Sequence, residues 1–449
     1  MGDPAAPETP AHYPLAAQQT LCCEDPDTSS DGFILPFALR IRGELDLDAL
    51  QGALNDVVVR HEVLRTRLVC GEEGRAPYQT ILAPQPVPFT VRDLATVTDR
   101  SRDEVADELL IELNGERMDM SEMPLLRAVL HRFDDRDAVL TVLSHHSAGD
   151  GWSCNLLRRD LAAFYRTRTT GAAHQLPEVR QYREFGTWQQ EWVSGTRAST
   201  ARTFWHDKLA GTQVFALPAD RPRGEGVLKS PYATANFVVE PEEFAAVEAR
   251  AAEIRGSGWH AILAAGTLLA EQIRGSSDVT MMTNVSGRTE WTFHNTVGFF
   301  ADFLPLRVDL TDCVTYHDVL VRSRSTCLEA LRNLIPINAI EDGLDEFTKP
   351  YDDPASMPFI FNYTRPVFGP QDIQFADSVE LITLSKEEPS DRGGWCIWSM
   401  WKLPSGGMRG VIEYSPDLVD PSTVELWVSE FVRLLSLIAN APNQNRKGQ

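Results

Sequence analysis

A strand–turn–helix signature around residue 146 constrains the fold more than any other feature of the chain. An apolar run at residues 138–143 leads into Ser144-His145-His146-Ser147-Ala148-Gly149-Asp150-Gly151-Trp152-Ser153, and helical periodicity follows to residue 168. A strand that ends in a tight turn fixes its last imidazoles at the mouth of a sheet, and a glycine at the helix start permits close backbone approach. Such geometry suits a general base. The same two histidines are also compatible with residues that only satisfy buried hydrogen bonds. A zinc site is disfavoured, because consecutive strand residues point to opposite faces and no third ligand sits at helical spacing. The His61-Glu62 pair lacks a second histidine four residues on and is no metalloprotease motif.

The rest of the chain repeats the α/β theme. Apolar alternation at Phe33, Leu35, Phe37, Leu39 and Ile41 predicts a strand with one buried face. Leu47, Leu50, Leu54, Val57 and Val58 predict an amphipathic helix over 46–61. Strands are predicted at 64–69, 80–82, 125–131 and 138–144, with helices at 102–116 and 153–168. Periodicity lapses over 169–177, where Gly171 and Pro177 stand, and this divides the chain into an N-terminal lobe, 12–176, and a C-terminal lobe, 177–449. Tyr182, Phe185, Trp188 and Trp192 share a helical face at the start of the second lobe. Further helices are predicted at 198–210, 241–254, 259–273, 315–332 and 421–440, and strands at 279–283, 304–308, 358–363, 378–384, 395–401 and 410–414. Residues 218–226 and 366–371 read as loops.

Composition excludes several function classes. A formal net charge of -22 argues against nucleic acid as the main partner, because phosphate binding needs a clustered basic surface. An acidic protein partner would need a local positive patch; Arg158, Arg159, Arg166 and Arg168 on one predicted helix supply it, or else form a solvated face. No run approaches the roughly 18 apolar residues of a membrane span, and residues 1–10 do not resemble a signal peptide, so a cytoplasmic protein without membrane contact is expected. The seven cysteines (Cys22, Cys23, Cys70, Cys154, Cys313, Cys327 and Cys396) are scattered without a CxxC pair and are expected to be reduced thiols. Neither a GxxxxGK loop nor a GxGxxG turn is present, so no nucleotide cofactor is predicted, and no metal. No low-complexity tract and no further module is recognisable, so the chain is expected to be free-standing and to meet its substrates in trans.

His145-His146-Ser147-Ala148-Gly149-Asp150-Gly151 resembles the HHxxxDG signature of the condensation-domain superfamily of nonribosomal peptide synthetases. Other blocks agree in order and spacing. Pro14-Leu15-Ala16-Ala17-Gln18 resembles the opening motif, Arg60-His61-Glu62-Val63-Leu64-Arg65-Thr66 the RHExLRT block, and 182–188 the aromatic-spaced block. Ser286-Gly287-Arg288, Val297-Gly298-Phe299-Phe300 and Leu304-Pro305-Leu306-Arg307 resemble the segment that closes on the active-site tunnel.

The resemblance implies an α/β fold of two chloramphenicol-acetyltransferase-like lobes in a V-shaped pseudo-dimer with a central tunnel. It implies an acyltransferase that makes an amide or ester bond. A carrier protein's phosphopantetheine arm would deliver the acyl thioester, with no intrinsic cofactor. An amine or alcohol acceptor, free or carrier-bound, would meet it beside His146, the catalytic base. In the family the aspartate of the motif points away from the tunnel and pairs with an arginine, so Asp150 and Arg288 are expected to support the site, and His145 to orient the turn. Gly151 would admit the arm and offer a backbone N–H near the thioester, and Trp152 would be wall. Asn362 would orient the acceptor or be a strand-end turn residue.

Two departures from the family pattern bear on the acceptor. Asp302 stands where the family carries asparagine, as a binder of a cationic acceptor or a solvent-facing carboxylate. Residues 335–340 keep only part of an HQDxPFE-like block, without its His-Gln pair. Both would suit an unusual or untethered acceptor. The lack of an EGHGRE-like block disfavours the epimerase branch, and the intact first histidine disfavours heterocyclisation. Two other readings stay open: an acyl-CoA-dependent HxxxD acyltransferase, and a non-catalytic docking module that recruits carrier proteins.

Overall fold

The computed structural model describes residues 11–24, 34–71, 76–94, 101–114, 117–224, 230, 232–364, 378–382 and 394–447. The chain forms two compact units. The first comprises Met1–Trp192, Ser286–Ala301 and Val367–Glu387; the second comprises Val193–Val285, Asp302–Pro366 and Glu388–Gln449.

The first unit contains β1 (His12–Pro14), α1 (Ala17–Glu24), β2 (Ile34–Arg42), α2 (Leu47–Arg60), β3 (Thr66–Val69), β4 (Tyr78–Ile81), β5 (Phe89–Asp93), α3 (Arg102–Asn114), β6 (Leu126–Asp134), β7 (Asp137–His145), α4 (Gly151–Thr170) and α5 (Tyr182–Val193). Its main sheet has the order β13-β2-β7-β6-β5, where β13 is the late strand Ser378–Ile382. Strand β7 is central, antiparallel to β2 on one side and to β6 on the other. Every residue from Ala138 to His145 is buried, which explains a continuous apolar run in place of alternation. Helices α2 and α4 pack together over the sheet, and Leu39, Ile41, Leu50, Leu54, Leu140, Leu156 and Leu161 share one core. Full burial of each such leucine is worth about 1.5–3 kcal/mol. Helix α2 starts at Asp46, whose side chain accepts the Ala49 N–H at 2.9 Å, and α4 stops at Gly171, which has a left-handed φ of 71°.

The second unit contains α6 (Thr196–Leu209), β8 (Ala216–Pro218), β9 (Ala233–Val239), α7 (Pro241–Glu253), α8 (Gly258–Arg274), β10 (Asp278–Val285), β11 (Asp302–Asp309), α9 (Tyr316–Arg332), α10 (Ile337–Glu341), α11 (Asp345–Thr348), β12 (Ser356–Thr364), β14 (Cys396–Lys402), β15 (Met408–Tyr414) and α12 (Pro421–Asn440). Its sheet runs β11-β10-β12-β14-β15-β9, with β8 pairing to β12. The β10/β12 and β12/β14 pairs are parallel, and the pairs outside them are antiparallel. Phe237, Phe361, Trp398 and Phe431 form an aromatic core, with Trp398 and Phe431 centroids 5.6 Å apart. At Gly266 of α8 a Cβ would lie 2.7 Å from the Phe361 ring, so glycine lets this helix approach β12.

The strongly periodic elements stand where the sequence predicts them, whereas β1, α1, β5, β8, β9, α10 and α11 do not appear in that reading. The loop expected at 366–371 lies outside the described residues. The cysteine expectation is corrected: Cys23 and Cys70 form a disulfide across a separation of 47 residues. Strand β4 pairs with both β1 and β3, which brings the end of α1 to the end of β3; nothing in the linear spacing reveals that proximity. Among the described residues, no helix is long and apolar enough to cross a membrane.

Candidate active site

The site grows from the end of β7. His145 is its last residue and is fully buried. A 3-10 turn, His146–Ala148, follows, and Asp150 caps α4. The Ser147 N–H donates to His145 Nδ1 at 3.1 Å, and Ser147 Oγ lies 2.7 Å from the same nitrogen. A nitrogen that accepts carries no proton, so the ring proton of His145 sits on Nε2. His145 therefore pins the turn. His146 is the single residue between positions 141 and 150 that is not buried. Its ring meets Phe299 edge-on, with centroids 4.5 Å apart.

Asp150 points away from this opening. It is 2% exposed, and its Oδ1 accepts from the Ser153 N–H at 2.8 Å and from Arg288 Nη2 at 3.1 Å. Its Oδ2 accepts from the N–H groups of Phe300 at 3.1 Å and Ala301 at 3.2 Å. Arg288 completes the clamp: Nη1 donates to the carbonyls of Phe293 and Thr296, Nη2 also donates to Ser153 Oγ, and the guanidinium lies 3.8 Å from the Phe300 ring centroid. Burial pushes the Arg288 pKa down from the ordinary guanidinium value, against the pull of Asp150. Each charge is compensated by its partner and by backbone groups, as a buried pair requires. Asp150 and Arg288, expected to pair, are thus brought together, and they hold residues 286–301 against the start of α4.

Gly151 is the first residue of α4 and is exposed; a Cβ built there meets no atom within 4 Å. Its N–H is one of the first-turn donors that a helix cannot satisfy itself. Trp152 is half-buried, and its indole N–H donates to the His294 carbonyl at 3.0 Å.

The remaining candidates lie in the second unit. Asn362 is buried within β12, not at a strand-end turn, and its Oδ1 accepts the Asn284 N–H at 3.0 Å. The parallel register of β10 and β12 is confined to Met282 and Ile360, so this side chain extends the link beyond the ladder. Asp302 is 8% exposed and does not face solvent; its Oδ1 accepts from the Phe303 N–H at 2.8 Å.

The expected arginine patch on α4 is corrected. Arg158 is 5% exposed, Arg159 pairs with Asp160 at 2.7 Å, and Arg168 is bidentate to Asp56 at 2.6 and 2.8 Å. Only Arg166 of the four extends as an exposed side chain outside these pairs. The RHExLRT-like block is likewise a fastener. His61 is 1% exposed and lies 2.9 Å from Asp160, Arg60 reaches the same carboxylate at 2.8 Å, and Glu62 pairs with Arg183 at 2.7 Å. Gln18 of the opening block and the following Gln19 are buried, with Gln189 accepting the Ala17 N–H at 2.7 Å and Gln79 donating to the Pro14 carbonyl at 2.7 Å.

Sequence reasoning missed Ser153 and Tyr182 as parts of this site. Ser153 Oγ accepts the Gly298 N–H at 3.0 Å, and Tyr182 Oη donates to the Phe299 carbonyl. The available signals were a serine three residues after a capping aspartate and two glycines in the later block. At Gly287, with φ +62°, a Cβ would fall 1.8 Å from the Phe300 carbonyl oxygen, and at Gly298 it would fall 2.0 Å from Tyr182.

The family profile described as "Condensation domain" matches residues 10–448. The chain belongs to the condensation-domain family. Its mixed α/β architecture is the chloramphenicol-acetyltransferase-like fold of that family. This condensation domain is 30% identical over 441 residues to a linear gramicidin synthase from Brevibacillus parabrevis, covering 96% of this chain and 6% of that protein. It thus spans less than a tenth of the gramicidin synthase polypeptides it matches. The solved structure of the SgcC5 protein from Streptomyces globisporus is similar over 96% of this chain and 100% of that one, with 32% identity and a TM-score of 0.85. The X-domain from teicoplanin biosynthesis shares the fold at 24% identity and a TM-score of 0.81, over 98% of each chain.

Proposed function

We propose that this condensation domain catalyses acyl transfer from a carrier-bound thioester to an amine or alcohol, with His146 as general base. The observation that carries the reading is the pattern of exposure in the motif. Every residue that holds the turn is buried, and the one imidazole left accessible stands just before a helix start with open space at Gly151. In the proposed reaction the acceptor's N–H or O–H proton passes to His146 as the nucleophile attacks the thioester carbonyl. The tetrahedral oxyanion collapses, the C–S bond breaks, and the phosphopantetheine thiol leaves with a proton returned from the imidazolium. A positioned base is worth about 10²–10⁴-fold, with proximity and hydrogen bonding to the oxyanion supplying the rest.

In this reading Asp150, Arg288 and His145 hold the turn without touching substrate. Gly151 admits the arm and offers its N–H, Trp152 forms wall, Asn362 orients the acceptor, and Asp302 receives a cationic group of the acceptor. The chain works in trans in the cytoplasm, its partner is an acyl or peptidyl carrier protein, and it needs no cofactor of its own. Similarity to peptide synthetases supports the amide-forming branch, and the SgcC5 structure, solved with an aryl diol, keeps the ester branch in view.

The test offers the purified protein acyl-loaded carriers and matching acyl-CoAs with amines and alcohols, and follows products by mass spectrometry. Product from the carrier-bound donor alone, lost in folded His146→Ala, is the expected result. Turnover of His146→Ala within twofold of the parent would remove the base assignment. Carrier binding without product from any donor would favour a docking module.

A further inference from the structure

We infer that Phe299 is the positioning residue for the His146 imidazole. This rests on the general-base reading of His146 and deepens it. The two rings meet at an interplanar angle of 62°, and Phe299 is only 8% exposed. A histidine on a turn has two side-chain torsions, whereas a base must lie within roughly 2.6–3.2 Å of the proton it takes. A rigid aromatic edge on one side of the ring restricts those torsions.

Phe299 is in turn fixed through three consecutive residues. The Gly298 N–H donates to Ser153 Oγ, the Phe299 carbonyl accepts from Tyr182 Oη, and the Phe300 N–H donates to Asp150 Oδ2. Asp150 and Ser153 belong to the segment that begins with the His146 turn. The contacts therefore close a circuit: the turn leads to Asp150 and Ser153, these hold 298–300, and the Phe299 ring returns to His146. Asp150 acts on the imidazole through this circuit without touching it. The backbone bonds do not depend on the phenyl group, so Phe299→Leu removes the ring contact and leaves the clamp.

Two measurements test this. Histidine-selective NMR of the substrate-free protein, with the His146 signals identified by their loss in His146→Ala, reads the ring contact directly. Phe299→Leu is expected to move the His146 ring signals and leave those of His61 in place. In turnover, Phe299→Leu is expected to lower kcat by about ten- to a hundredfold with KM little changed, as for a small misplacement of a reacting group. Phe299→Tyr should recover most of the loss, and Tyr182→Phe should show a smaller loss of the same kind. Unmoved His146 signals, or moved signals with kcat within twofold of the parent, overturn the inference. Normal turnover in His146→Ala is a different failure: it removes the base assignment itself, and a Phe299→Leu variant that still shifts the His146 signals tells the two apart.

Discussion

The two units each carry a strand, a short connection and a 20-residue helix capped by aspartate: β7 into α4, and β15 into α12. They are furnished very differently. Asp150 is buried and caps with its side chain, whereas Asp420 makes no side-chain cap bond and instead pairs with Arg221 at 2.7 Å while half exposed. Helix α4 begins with Gly151 beside open space; α12 begins with Pro421, a residue preorganised for the first helical position. The connection to α12 buries Ser415, Leu418 and Val419, whereas that to α4 leaves His146 accessible. The second junction shows what the fold alone requires. What the first adds is a glycine beside open space and an accessible imidazole on a turn held by a buried carboxylate clamp, none of which the second junction uses, and this is why the chemistry is assigned there.

The largest effect expected from this comparison concerns the two capping aspartates. Asp150→Ala leaves Arg288 buried without its counter-charge and should destabilise the first unit by about 3–5 kcal/mol. Asp420→Ala removes an exposed pair and should cost about 1 kcal/mol or less. Urea denaturation of both variants measures the contrast; equal costs would mean that the buried clamp does not set the stability of its junction.

Acid should separate the helices next. Buried positions on α12 are apolar, including Val424, Trp427, Phe431, Leu434 and Ile438, while α4 is anchored midway by Asp160 and His61. Burial lowers the His61 pKa from the ordinary 6.5, outweighing the opposing hydrogen bond to Asp160. For Asp160, burial works upward, but its bonds to His61 and Arg159 prevail and bring it from 3.8 to about 2. Both groups bind fewer protons folded than unfolded. The stability from His61 is therefore complete above 6.5 and is lost as pH falls through that value toward the lower folded pKa, and that from Asp160 follows between 3.8 and about 2. Hydrogen exchange between pH 7.5 and 5.5 should quicken in α4 relative to α12, with a smaller difference in His61→Gln. Faster loosening of α12 would break the contrast.

How far the sequence exposes such differences depends on what each element buries. Strands β2, β7 and β12 were legible because their apolar residues follow the pleat or run unbroken through a covered sheet. Helix α1 was not, because it turns the amides Gln18 and Gln19 inward and Cys22 is the apolar residue buried beside them, too little to mark a helical stripe. The Cys23–Cys70 disulfide and the ion pairs that occupy Arg159 and Arg168 depend on neighbours distant in sequence. The clamp was legible only in part. Asp150 and Arg288 carry charge and stood out through the family pattern, whereas Ser153 and Tyr182 act through backbone groups of 298–299 and are signalled only indirectly, by the spacing of Ser153 from Asp150 and by Gly287 and Gly298.

The smallest expected effect on the fold bears most directly on function. Gly151→Ala places a methyl group where no protein atom lies within 4 Å, at a position without left-handed backbone, so stability should change by about 0.5 kcal/mol or less, toward the more stable side. Gly151→Pro imports the start of α12 and removes the Gly151 N–H, and the extended backbone of Asp150, with φ -141°, tolerates a following proline. Thermal melts should therefore leave both variants close to the parent. Turnover should not follow the melts: a methyl group in the space assigned to the arm should lower it by at least about tenfold, equivalent to roughly 1.4 kcal/mol of barrier. The pair distinguishes two uses of the glycine. Loss in both variants assigns the space, and loss in proline alone assigns the N–H. Parental turnover in both would reduce the contrast between Gly151 and Pro421 to sequence drift at a helix start, leaving His146 and the clamp that holds its turn as the distinctions between the junctions.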